Sequence, residues 1–306
     1  MSLFIGNTDK RWFEFLRARP EIDEVNFWQP GGSQEFRLLS EGDLFLFRLK
    51  SPINKIAGGG VFFHASRLPL GLAWNAFEER NGVASLDEFR AIISRYRSAP
   101  IRDDDQIGNI ALLDPVFLPE SEWISVPDDY SRNLVQGKRY VDTTRGPGLE
   151  LTRWAQNVLF PIARRRVAEQ PPPTMFGAPT LVTPRLGQGA FRVRITDLYA
   201  RRCAVSGEKT LPVLQAAHIR PVSRGGLHTA DNGLLLRSDI HTLFDLGYVG
   251  VTPEYRFTVS PHLKSSWQNG RIYYDLHDRE IGLPIDPTQR PSEHSLTWHQ
   301  KEIFRA

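Results

Sequence analysis

The spacing of apolar positions changes several times along the chain, and each change marks an element. Gly42 to Leu49 (GDLFLFRL) is nearly continuous Leu and Phe, the composition of a buried strand, and the glycine-initiated run GGGVFFHASRLPL after Ile56 reads as a second one. The period then lengthens to that of a helix. In SLDEFRAIISRYR the residues Leu86, Phe89, Ile92, Ile93 and Tyr96 share one face, and Ser85 with Glu88 three residues on makes a capping box. IGNIALLDPVFL and EWISVP return to strand patterns, and LELTRWAQNVLFPIARRRV closes this half as a helix. Between Arg164 and Gly189 the periodicity stops; a basic triplet, three consecutive prolines, two further prolines and several glycines read as a semi-rigid linker. Beyond it Leu214 to Ile219 is apolar and extended, Arg220 to Asp231 carries a proline and a glycine pair, Leu234 to Leu236 is apolar again, and Ser238 is placed to cap a helix. This is a ββα pattern, followed by strands at YRFTVS and GRIYYDL, the segment LPIDP, and a short terminal helix in LTWHQKEIF.

The predicted class is α+β in two domains, 1–163 and 190–306, joined by the linker 164–189. The chain's 306 residues suit two domains, and 41% hydrophobic content supports a core in each. No stretch approaches the roughly 20 apolar residues that cross a bilayer, and the N-terminal residues lack a basic-then-apolar signal pattern. A cytoplasmic protein with no membrane partner is expected. The single cysteine, Cys203, excludes an intramolecular disulfide and a cysteine-paired zinc knuckle, and it is expected as a small buried hydrophobe.

Charge narrows the partner. From Arg185 to Arg256 there are ten Lys or Arg and six Asp or Glu, a net of +4 in a chain whose total is +3. The excess therefore lies on the ββα pattern. Arg192, Arg194, Arg201, Arg202, Arg220, Arg224 and Arg237 are the candidate contacts to a DNA backbone, since neutralising phosphates releases counterions and supplies most non-specific affinity.

Three polar residues inside the same pattern carry chemistry. His218 and Asn232 are 14 positions apart, and Asn232 and His241 are 9 apart. Hydrolysing a phosphodiester needs a base that is neutral near pH 7, which histidine provides, and a divalent cation to offset charge developing on the phosphate. His241 and Asp245 are four apart on the predicted helix and so share a face from which they can grip one ion.

The order Ala217–Pro221 (A-H-I-x-P), Gly225-Gly226, Asn232–Leu236 (N-G-L-x-L) and His241–Gly247 (H-x-x-F-D-x-G) resembles the HNH endonucleases, whose catalytic part is a ββα-metal unit. The resemblance implies that His218 is the general base, that Asn232 holds the loop and the base, and that His241 is a metal ligand, with Mg²⁺, Mn²⁺ or another transition metal as cofactor. Many such nucleases place an Asp or His ligand directly before the base. Ala217 stands there, which leaves His241 and Asp245 as the protein ligands and the remaining positions to water and phosphate oxygens.

In the N-terminal half, FWQP ahead of GDLFLFRL, the glycine-rich second strand, the AWNAF and NGV segments and the later IGNIALLDPVFL resemble the EVE-type members of the PUA superfamily. That resemblance implies a small β-barrel with flanking helices and a pocket for an everted base. A flipped base needs a stacking surface and a hydrogen-bonding edge. The candidates are Trp28, ahead of the turn at Pro30 to Gly32, with Asn26 on the same side of a segment too polar for core; the pair Trp74 and Asn75; and Phe63. Trp12 and Trp123 are expected to be structural, and His299 packed or exposed.

Together the two resemblances imply a modification-dependent (type IV) restriction endonuclease. The partner would be double-stranded DNA carrying 5-methylcytosine, 5-hydroxymethylcytosine or a derivative. A homodimer or sequential nicking would each give a double-strand cut. The alternatives are an HNH nuclease with sequence- or structure-specific recognition, and a nucleic-acid-binding regulator whose site has decayed; the intact His218, Asn232 and His241 argue against the last.

Overall fold

The computed structural model describes residues 2–31, 36–131, 134, 137–163 and 187–306. It divides into two compact units, Met1–Ala190 and Phe191–Ala306. Most of the expected linker, 164–186, lies outside the described residues. Its last residues differ from expectation, because Gln188 and Gly189 open a helix.

The first unit is built on a mixed sheet with the strand path β2 (Glu24–Asn26), β5 (Gln106–Phe117), β4 (Lys55–Pro69), β3 (Leu44–Leu49), β1 (Leu3–Thr8) and β7 (Gly137–Tyr140), with β6 (Ile124–Ser125) pairing the start of β4. The β1–β3 pair is parallel and its neighbours are antiparallel. The continuous apolar run of β3 follows from burial on both faces. Leu44 and Leu46 enter one core with Leu3, Ile5 and Leu151, while Phe45, Phe47 and Leu49 enter another with Phe4, Trp12 and Phe13. Trp12 and Trp123 belong to this packing, as expected. The glycines of β4 let it pass close to its neighbour: a Cβ on Gly58 would lie 2.1 Å from the Val116 carbonyl oxygen. Register shifts beside Val61 and Phe62 then bend the strand.

The helix Leu86–Ser94 is capped as the sequence predicts. Ser85 accepts the Glu88 amide, and the Glu88 carboxylate reaches back to the amide of Ala84. Phe89 and Ile93 are buried, whereas Tyr96 falls beyond the helix and is exposed. The segment Glu24–Asn26 corrects the sequence reading. All three residues are fully buried despite two polar side chains, because the Glu24 carboxylate and the Asn26 amide nitrogen have protein partners. Glu24 accepts the amides of Gly189 and Ala190 at 2.8 Å, and burial pushes its carboxyl up to about 7.

The second unit contains the ββα element: β8 (Leu214–His218) antiparallel to β9 (Gly233–Arg237), then the helix Ser238–Asp245. Ser238 is the first helical residue and Arg237 the cap, one position from the expected cap. Leu234, Leu235 and Leu236 are all buried, since the helix Gln188–Leu198 and the helix Ser238–Asp245 contribute Phe191, Ile195, Ile240 and Phe244 to one core with them. A hairpin, Val249–Val251 with Phe257–Val259, and helices at Pro261–Trp267 and Glu293–Glu302 complete the unit. GRIYYDL, expected as a strand, holds the short helix Arg271–Tyr274, in which the Tyr273 and Tyr274 amides donate to the Gly270 carbonyl. Cys203 is buried as expected, and its sulfur accepts the amides of Ser206 and Arg237. Among the described residues no helix is long and apolar enough to cross a membrane.

Candidate functional site

The site grows from the register of β8 on β9, which sets His218 beside Gly233. A Cβ at Gly233 would lie 2.3 Å from Ile195 Cδ1, so the absent side chain is what admits the helix Gln188–Leu198 over this end of the hairpin. Phe191 of that helix stacks on the His218 ring with centroids 4.1 Å apart and planes at 10°.

The loop from Arg220 to Asp231 is closed by two devices. Gly225 has φ +82°, in the left-handed region, and a Cβ on Gly226 would lie 1.8 Å from the Arg220 carbonyl oxygen. Asn232, buried, then ties both ends together. Its Oδ1 accepts the Arg220 amide at 2.9 Å, and its Nδ2 donates to the carbonyls of Arg220 (2.9 Å) and Leu227 (2.8 Å). Every hydrogen-bonding atom of this side chain serves the loop that follows His218.

The closure delivers a residue that spacing alone did not single out. His228 places Nδ1 2.9 Å from His218 Nε2, with ring centroids 4.8 Å apart at 67°. Burial, then the neighbouring His228 and His241, lowers the His218 pKa to about 4. His218 is therefore neutral, and competent as a base, throughout the neutral range.

On the helix, His241 Nε2 lies 3.3 Å from Asp245 Oδ2, as the four-residue spacing predicted. His241 Nδ1 meets Gln215 Oε1 at 2.8 Å, a second partner that the sequence reading missed. Gln215 extends from β8 two residues before Ala217, and only the strand's register reveals it. Burial depresses the His241 pKa and Arg192 adds to the effect, against Asp245; burial raises the Asp245 carboxyl, against His241.

The predicted arginines take different places. Arg202 and Arg224 are exposed, and Arg192 lies near enough to His241 to affect its titration. Arg194 donates to Gln289, Arg201 pairs with Asp197, and Arg220 donates to the Arg224 carbonyl with its guanidinium over Trp298. Arg237 is held in a two-point pair with Asp239, which also accepts the Tyr273 hydroxyl. His299 is buried, as one branch of its expectation had it, stacked on Phe244 and bonded to the Phe244 carbonyl.

Residues 203–252 match the family model described as HNH endonuclease. They are an HNH endonuclease domain, and the reaction of such a domain is hydrolysis of DNA. No curated protein matches the chain. Two solved structures are similar over larger spans. One, titled modification dependent TagI restriction endonuclease, shows 13% identity over 92% of this chain and 75% of its own, with a TM-score of 0.27. The other, titled ASCH from Zymomonas mobilis, shows 10% identity over 51% of this chain and 94% of its own, with a TM-score of 0.30.

In the HNH domain the donor chemistry suits a hard divalent cation. With the Gln215 carbonyl oxygen accepting from His241 Nδ1–H, the Nε2 lone pair lies 3.3 Å from a carboxylate oxygen, a nitrogen and an oxygen donor of the kinds that divalent cations take. Among the described residues no three His, Cys, Asp or Glu side chains are gathered so as to hold a metal, so His241 and Asp245 would be a partial ligand set.

In the first unit the pocket candidates separate. Asn26 donates to Asn81 Oδ1 at 2.9 Å and Asn109 Oδ1 at 2.7 Å, and among the described residues its own buried Oδ1 has no partner. Trp28 is half-buried, donates to the Asn81 carbonyl at 3.0 Å, and has its ring 6.0 Å from Phe89. Trp74 approaches the same Phe89 at 6.3 Å. Asn81 and Phe89, which the sequence reading did not name as site residues, are thus what connect Asn26, Trp28 and Trp74. Phe63 is buried with its ring 6.3 Å from that of His64, and Asn75 is exposed.

Proposed function

We propose that the HNH domain cleaves double-stranded DNA with His218 as general base and a divalent cation on His241 and Asp245, and that the first unit selects DNA containing a modified cytosine by accepting the everted base. The observation that carries the cutting half is the presence on one ββα unit of a neutral, half-buried His218, a loop closed by Asn232, and the His241–Asp245 pair, with His241 near enough to His218 to affect its titration. His218 takes a proton from water while Asn232 keeps the loop shut, and Arg192, Arg202 and Arg224 face the phosphates. The bound cation would supply charge neutralisation at the scissile phosphate.

The reading half rests on the sequence resemblance and on the group around Asn81. Trp28 supplies a ring edge and face at the rim, and the orphaned Oδ1 of Asn26 supplies an acceptor suited to an exocyclic amino group. Ser66, paired with Asn109 in the β4–β5 register, buries a second oxygen that has no partner among the described residues. The deciding experiment offers the full chain, with Mg²⁺ or Mn²⁺ and with chelator, four matched plasmids: unmodified, cytosine-methylated, hydroxymethylated and glucosylated. Cleavage of a modified plasmid alone supports both halves. Equal cleavage of all four removes the reader, and no cleavage of any removes the nuclease assignment.

A further inference from the structure

The HNH reading explains His218, Asn232 and His241 and leaves His228 without a role. Four features hold this side chain against the base. Its Nδ1 is 2.9 Å from His218 Nε2. The rings meet at 67°, an edge approach suited to an in-plane N–H···N bond and unsuited to stacking. Phe191 covers the face of His218 and lies 5.5 Å from His228, which limits tilting of either ring. The loop carrying His228 is pinned one residue earlier, where Asn232 donates to the Leu227 carbonyl.

We propose that His228 is a positioning residue for the base: its Nδ1 accepts the Nε2–H of His218 and so fixes the tautomer in which His218 Nδ1 carries the proton-accepting lone pair. The inference rests on the nuclease reading. The opposite tautomer would cap His218 Nε2 with the His228 proton and leave a hydrogen on Nδ1, so that neither nitrogen could take a proton from water. In the assigned state the step balances. The water oxygen bonds to phosphorus as its proton passes to His218 Nδ1, the bond from phosphorus to the leaving oxygen breaks, and that oxygen takes a proton from solvent. The imidazolium keeps Nε2–H on His228 and returns its Nδ1 proton to solvent. An imidazole thus occupies the orienting place that a carboxylate holds in a Ser-His-Asp triad.

The test compares cleavage by the full chain in Mn²⁺ for wild type, His228→Ala and His228→Asn, the last retaining an amide where Nδ1 stood. For His228→Ala, kcat should fall about 10- to 100-fold with KM unchanged, the range seen when an orienting partner is removed, and His228→Asn should recover most of it. If the wild type does not cut, the nuclease reading fails and the dyad falls with it. If the wild type cuts and His228→Ala matches it, the dyad alone fails. Recovery of His228→Ala at high Mn²⁺ would make His228 a metal ligand and overturn the inference. Should His228→Ala unfold, the Asn variant decides: near-wild-type kcat supports the dyad, and a folded variant with kcat lowered at least 10-fold refutes it.

Discussion

Two buried asparagines, one in each unit, look alike in sequence and differ in what they leave undone. Asn232 uses its oxygen and its amide nitrogen on the backbone of one loop. Asn26 uses its nitrogen twice and leaves its oxygen, equally buried, with no partner among the described residues. A buried acceptor without a donor costs on the order of 1–3 kcal/mol, so it persists only where something else requires it. The first pattern is that of a clamp, complete within the protein. The second is the pattern the proposed function assigns to a recognition group, complete when a donor arrives. On the proposed function the two units divide in the same way, a proposed cutting site whose polar groups are committed to geometry and a proposed reading site with unmet hydrogen-bonding capacity.

The largest effect should come from the committed side. His218→Ala removes the proposed base and leaves the arginines, so cleavage in Mn²⁺ should fall by about 10²–10⁴-fold while binding to a DNA duplex is retained. A mutant that cuts at the wild-type rate would move the base elsewhere and dissolve the comparison.

Next in size is the metal pair. Asp245→Asn keeps the shape but weakens the negative donor opposite His241, and the Mn²⁺ concentration for half-maximal cleavage should rise about 10- to 100-fold, as when support for a ligand is lost. An unchanged metal titration would return Asp245 to the role of a helix-surface carboxylate.

How far these parts could be read in advance depended on the range of the interactions. The capping box at Ser85, the two-sided burial of β3 and the ββα order were legible because each is set by residues near in sequence. His241 with Asp245 was legible for the same reason, one helical turn apart. His228 and Gln215 were not, because their partners are met only after the loop closes and β8 registers on β9, events to which no local spacing testifies. The polarity of Glu24–Asn26 misled for a related reason, since the partners that permit its burial, Asn81, Asn109 and the amides of Gly189 and Ala190, are all distant in the chain. GRIYYDL read as a strand from its Ile and Tyr content, a propensity that tertiary packing overrides.

Acid should expose a further asymmetry within the HNH-containing unit. His299 is buried against Phe244, and burial lowers its pKa to about 4 from an ordinary 6.5. The neutral form is thus favoured in the fold; the contribution is present above pH 6.5 and is lost as pH falls through 6.5 toward 4. Between pH 7 and pH 5 the loss is about 2 kcal/mol, and His218 adds to it with the same sign. Urea unfolding of the full chain should show His299→Leu closing its stability gap to the wild type across that interval. A gap independent of pH would mean that His299 titrates normally.

The smallest expected effect tests the reading side directly. In a His218→Ala background, which prevents cutting, the full chain should bind a modified duplex in preference to an unmodified one. Trp28→Ala should reduce that preference by about 1–2 kcal/mol, within the usual range for one base stacked on one aromatic ring. Salt-sensitive binding common to both duplexes should persist, because it belongs to the arginines and the phosphates. Asn26→Ala sharpens the comparison. If the orphaned Oδ1 recognises the everted base, its removal lowers the preference while the fold survives the loss of the Asn81 and Asn109 bonds, as near-ultraviolet circular dichroism would report. If Asn26→Ala and Trp28→Ala both remain folded and both keep the full preference at every salt concentration, the base is read elsewhere, and Asn26 becomes a second clamp like Asn232 with one oxygen left over.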